Sequence, residues 1–169
     1  MTNKETDGLE QSGKWKQEER NMETDDRRWK MMQRHLGYSD QEMITFKKDP
    51  RNAAVLKAGG ELAGKNIVLE VVESRGCNSK HKVGDRFFFD AFGNLLTELC
   101  PKKVCGYSLN AALMMVFTAN EMLFAGMDPN TIRFKRAGCF DVGLECGGWG
   151  RIVLELRVVD KNAAQATEG

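Results

Sequence analysis

Apolar side chains are unevenly spread along this chain, and their spacing changes character twice. Residues 1–23 hold only Leu9, Trp15 and Met22 as large apolar groups past the first methionine, among charges, Ser, Thr, Gln and Gly. Such a stretch buries too little area to offset the entropy of ordering it, so a polar tail is expected over 1–23. Trp29, Met32 and Leu36 then recur at helical spacing, after Thr24 as a cap with Asp25 and Asp26 at the positive end, and Gly37 closes that element. Ser39-Asp-Gln-Glu42 is a capping box that opens a second helix through Lys48. Asp49-Pro50 opens a third through Ala58, with Gly59-Gly60 as its stop.

From Lys65 the period becomes two. Ile67, Leu69 and Val71 alternate with Val68, Glu70 and Val72, which predicts a strand. A polar loop over Arg75–Asp85 leads to a second strand at Arg86–Asp90. A turn at Ala91-Phe-Gly-Asn94 leads into a short third strand through Glu98, which Cys100-Pro101 breaks. Ser108 is the expected cap of a long helix to about Ala125, stopped by Gly126 and apolar nearly all round, so that both sheet and arm are expected to cover it. Thr131–Lys135 and Arg151–Val159 read as further strands, and 161–169 as a polar C-terminal tail. The fold class predicted is α+β: a small, mostly antiparallel sheet on one long buried helix, with a short-helix arm at 24–60 before a compact domain at 61–160.

Composition narrows the function classes. The 25 basic and 24 acidic residues leave a formal net charge of +1, which argues against nucleic acid or an anionic membrane as partner. Met1–Gly13 lacks the apolar run of a secretory signal. The most apolar stretch, Leu109–Ala125, contains Asn110, Asn120 and Glu121 and reads as a buried helix rather than a membrane span. Five cysteines without a secretion signal fit reduced thiols in the cytoplasm.

The candidate chemistry lies in the loops of the second half. Cys77, Cys100, Cys105, Cys139 and Cys146 all fall there, with His81 four residues after Cys77. Thiolates with an imidazole suit zinc or an iron–sulfur cluster. Cys77-x3-His81 and Cys100-x4-Cys105 are permissible ligand pairs, although small buried thiols serving only as core remain the plain alternative. As a reactive thiol, Cys77 is the leading candidate, because Lys80, His81 and Lys82 would enrich its thiolate. Asp85, Asp90, Asp141 and Glu145 are carboxylates available near the thiols. Cys146-Gly-Gly-Trp-Gly150 reads as a tight turn with Trp149 packed on the core, since it leads into a strand and lacks the helix start of a phosphate loop.

Arg75-Gly-Cys77-Asn-Ser-Lys-His81-Lys-Val-Gly84-Asp85, then Cys100-Pro101, then Cys139-Phe-Asp141, resembles a family of small uncharacterised prokaryotic proteins over roughly residues 65–159. The resemblance implies one site built from Cys77, His81, Cys100 and Cys139. Phe140 stands where the family pattern has proline, and Cys105 and Cys146 are additions expected to matter less.

Three functions follow as expectations. The first is a small or accessory subunit of a larger, anaerobic-type enzyme assembly, carrying a zinc or iron–sulfur site and joined to another subunit or a second copy through its arm. The second is a stand-alone redox or thiol enzyme using Cys77 and His81. The third is a nucleic-acid-binding regulator acting through Arg27, Arg28, Lys30, Arg34, Lys47, Lys48 and Arg51 of the arm, whose charge Asp25, Asp26, Asp40, Glu42 and Asp49 interrupt. The apolar stripe Trp29, Met32, Leu36, Met43 and Phe46 is expected to need a covering surface.

Overall fold

The computed structural model describes residues 24–161. The two expected tails fall outside them, apart from Lys161. The described chain forms two compact units, divided between Lys57 and Ala58.

In the first unit, residues 24–36 are helical (α1) and Asp40–Lys47 form α2. Thr24 is already inside α1 rather than capping it. The capping box of α2 is present in both directions: Ser39 Oγ accepts from the Glu42 N–H, and the Ser39 N–H donates to the Glu42 carboxylate at 2.8 Å. Most of the apolar stripe is covered within the unit itself. Trp29 and Tyr38 meet the ring of Phe46 edge-on at 6.1 and 5.7 Å, Lys47 lies over the Trp29 face, and Met43 is buried. Met31, Leu36 and Ile44 stay exposed. Arg28 and Lys30 pair with Asp25 and Asp26, and Arg51 with Asp49, so part of the basic charge of the arm is matched locally.

Helix α3 spans Pro50–Ala63 and crosses the division between the units. It runs through Gly59-Gly60 instead of stopping there. Two glycines cost a helix about 1 kcal/mol each relative to alanine, while Leu62 beyond them is buried, and that burial offsets much of the cost.

The second unit is an antiparallel four-stranded sheet in the order β2-β1-β4-β3, as the α+β prediction required. Its strands are β1 (Lys65–Arg75), β2 (Arg86–Asp90), β3 (Arg136–Gly138) and β4 (Arg151–Asp160). The central pair β1–β4 is in register from Lys65 opposite Asp160 to Arg75 opposite Arg151, with one bulge between Val71 and Glu73. Ile67, Leu69 and Val71 of β1 share a face with Phe87 and Phe89 of β2 and Ile152, Leu154 and Leu156 of β4.

Against that face lies α4 (Gly106–Phe124), which presents Ala112, Val116 and Ala119 and ends at Gly126, whose φ is +71°. On α4 itself, Tyr107, Leu113, Met114 and Phe117 are exposed. The buried amide of Asn120 faces the turn after β2; with its nitrogen assigned toward the Ala91 carbonyl and its oxygen toward the Gly93 N–H, it bonds to both at 3.3 Å.

Two strand predictions need correcting. After Asn94 only a single bridge, Phe89 to Leu95, and a 3₁₀ turn at Thr97–Leu99 form. The expected strand at Thr131–Lys135 begins later, at Arg136, because Asp128 caps a 3₁₀ turn at Pro129–Thr131 and delays the ladder.

At the Arg75–Arg151 end of the central pair the backbones of Gly76 and Gly150 touch. A Cβ on Gly150 would fall on the Gly76 carbonyl, and Gly76 itself has φ +64°. Gly150→Ala is therefore expected to destabilise the second unit by about 1–3 kcal/mol, read as a lower urea midpoint, whereas Gly138→Ala, where a Cβ meets nothing, should be near neutral. Equal midpoints for the two variants would contradict this close approach.

Candidate functional site

The contact between Gly76 and Gly150 brings together the loops that carry the sulfur and nitrogen donors. After β1 the chain turns tightly, with the Lys80 N–H on the Cys77 carbonyl (3.0 Å) and Lys80 at φ +64°. It then folds back onto β1: the Gly84 N–H donates to the Val71 carbonyl (2.9 Å) and the Val71 N–H to the Asp85 carbonyl (2.8 Å). His81 is thereby inserted beside the core, 4% exposed, with its ring edge-on to Phe87 at 5.1 Å.

His81 Nδ1 lies 3.3 Å from Asp85 Oδ2. An ionised carboxylate only accepts, so this contact places a hydrogen on Nδ1, and in the neutral ring the lone pair is then on Nε2. Nε2 is buried and has no hydrogen-bond partner among the described residues. A buried imidazole nitrogen without a hydrogen-bond partner is costly.

That cavity measures about 440 Å³ and is lined by Cys77, His81, Cys105 and Cys139, together with Tyr107 and Trp149. Three of the four residues expected to form one site thus share it: Cys77, His81 and Cys139. Cys100 does not. Its thiol donates to the Leu96 carbonyl (3.2 Å) and accepts from the Phe88 N–H (3.4 Å), and burial pushes its pKa up, partly offset by that N–H. Cys105 takes its place, and Cys146 is exposed on a 3₁₀ turn. Among the described residues no group of three or more His, Cys, Asp and Glu side chains is set to hold a metal ion.

The thiols differ in character. Cys139 accepts from the Ile152 N–H (3.3 Å) and donates to the Asp141 carbonyl (3.4 Å), so its sulfur is engaged by the backbone. Cys105 occupies the N-cap of α4, where its carbonyl starts the helix. Burial opposes its thiolate most strongly. The Ser79 hydroxyl and the N–H groups of Ser108 and Tyr107 together outweigh that burial and hold its pKa below the usual thiol value, although no capping hydrogen bond of ordinary length forms.

From sequence Cys105 ranks below Cys77 and Cys100, because Ser108, a favoured cap residue, sets the expected helix start three positions too late. Ser108 Oγ instead donates to the Cys105 carbonyl at 2.8 Å. Asp85 was visible only as a carboxylate near the thiols, and the four-residue spacing His81-x3-Asp85 was the available signal for its pairing.

The glycine-rich segment is organised by Asp141. Its carboxylate accepts from the N–H groups of Gly143 (3.1 Å), Trp149 (3.0 Å) and Gly150 (3.1 Å). Trp149 does not pack on the core as expected, since it is 78% exposed; its backbone, not its ring, is what the loop fixes. Comparison of the chain with models of protein families, with curated proteins and with solved structures returns no match.

The Gly143 N–H first, then those of Gly150 and Trp149, hold the Asp141 pKa below the usual carboxylate range. A carboxyl whose folded pKa is depressed lends stability above its unfolded pKa and loses it as pH falls through the folded value. Asp141→Asn should therefore lower the urea midpoint at neutral pH, and the gap to the parent protein should close on acidification below the ordinary carboxylate range. A gap that persists unchanged into acid would contradict this role.

Proposed function

We propose that the protein is a thiol-dependent enzyme in which Cys105 is the nucleophile, His81 exchanges the proton through Nε2, and Asp85 holds the imidazole in the tautomer that allows it. The carrying observation is that one cavity is lined both by a thiol at the N-terminus of α4 with a lowered pKa and by a buried imidazole whose Nε2 has no partner among the described residues. The reading keeps His81 from the sequence-derived thiol-enzyme hypothesis and moves the nucleophile from Cys77 to Cys105. Attack by the Cys105 thiolate would form a carbon–sulfur bond at a soft electrophilic centre, with His81 returning a proton to the displaced electron pair.

Thiol mapping separates reactivity from exposure. With limiting iodoacetamide across a pH series, Cys105 should be alkylated before the more exposed Cys146, with a midpoint below that of an ordinary thiol, and Cys100 last. Labelling that simply follows exposure, led by Cys146, would sink the assignment.

A second reading has its own observation. The cavity gathers Cys77, His81 and Cys139 with Cys105 in the place of Cys100, and Asp85 on Nδ1 is how metal-bound imidazoles are commonly held. On this reading the chain is a small subunit with a zinc or iron–sulfur centre, and Met31, Leu36 and Ile44 on the arm offer an apolar contact for a partner subunit or second copy. Anaerobically purified, untagged protein should then contain stoichiometric zinc or iron that Cys77→Ser and His81→Ala lose and Cys100→Ser keeps. Metal-free protein that is fully folded would exclude it.

A further inference from the structure

We infer that the mouth of the thiol cavity selects electrophiles carrying an aromatic or other flat apolar group, gripped between Tyr107 and Trp149; the inference rests on the thiol reading above. Both rings line the cavity, yet they are 72% and 78% exposed. Neither has an aromatic partner among the described residues. Rings of this size normally bury most of their area, and two large ones left open beside one cavity are an unmet apolar contact.

Their exposure is not the product of a loosely placed backbone. Trp149 and Gly150 donate their N–H groups to Asp141, and Gly150 is packed against Gly76. Tyr107 sits in the first turn of a 19-residue helix, two positions after Cys105. The chain thus holds both rings at the entrance while giving neither a core to enter.

The charged groups of the same cavity are already engaged. Asp141 is taken up by three backbone N–H groups, and Arg151 is paired through Nε and Nη2 with Glu73. Both are thus tied into the protein's own loops and strands, whereas the two rings, without aromatic partners among the described residues, are left as the selective surface, with the thiol and His81 as the reactive one.

Maleimides test this with a balanced reaction. The Cys105 thiolate adds to the alkene carbon, a carbon–sulfur bond forms as the π pair moves to the enolate, and the enolate takes a proton from His81 or water; there is no leaving group and no oxidant. Rates of modification by N-phenylmaleimide and N-methylmaleimide are measured on the full chain by peptide mapping, with Cys146 as the internal reference. The phenyl-to-methyl rate ratio should be several-fold higher at Cys105 than at Cys146. Trp149→Ala and Tyr107→Ala should bring it down to the Cys146 ratio, and Trp149→Phe should preserve most of it, in proteins whose circular dichroism matches the parent. A reactive Cys105 with the same ratio as Cys146 overturns the aromatic selection alone. A Cys105 slower than Cys146 toward both reagents overturns the thiol reading and this inference together.

Discussion

The cavity side of the second unit depends on the pairing of Arg75 with Arg151 at the end of the β1–β4 ladder. Immediately beyond it on one strand is Gly76, and immediately before it on the other is Gly150, in backbone contact. Only residues without a Cβ allow that approach, and the approach sets the Cys77 loop against the Trp149 loop. Asp141 then fixes the second loop from its other side by collecting three N–H groups. A long-range strand pair and two glycines therefore place side chains that are about seventy residues apart in the chain around one space.

Much of the fold was legible because its causes are local. The period-two run from Ile67 to Val71, the capping box at Ser39–Glu42 and the Gly126 stop each act over a few residues, and each is present as read. What failed was decided by tertiary context. Gly59-Gly60 did not end α3, since burial of Leu62 further along offset much of the weak helix preference of glycine. The segment after Asn94 had strand-like residues but met only one partner position, at Phe89.

The site was legible in its residue types and less so in its membership. Cys77, His81 and Cys139 lie in loops that the sheet brings together. Cys100 and Cys105 are five residues apart, and nothing in their local sequence distinguishes a thiol spent on β2 from one at the head of α4. The distinction arises from where each sulfur meets backbone N–H groups and carbonyls, which spacing alone does not encode. The same holds for Trp149, whose large apolar ring suggested the core, whereas its N–H is the part that is held.

Cys100 has a further consequence for how copies of this chain can associate. Its sulfur takes the Phe88 N–H, the Phe88 carbonyl accepts from Leu96, and the Asp90 N–H donates to Asn94. The free margin of β2 is thus occupied by the chain's own next segment, while the opposite margin, β3, is only three residues long. Among the described residues, neither border leaves a long row of open peptide groups for strand addition. Strand addition to this sheet through main-chain bonds would meet only an occupied margin at β2 and a three-residue one at β3.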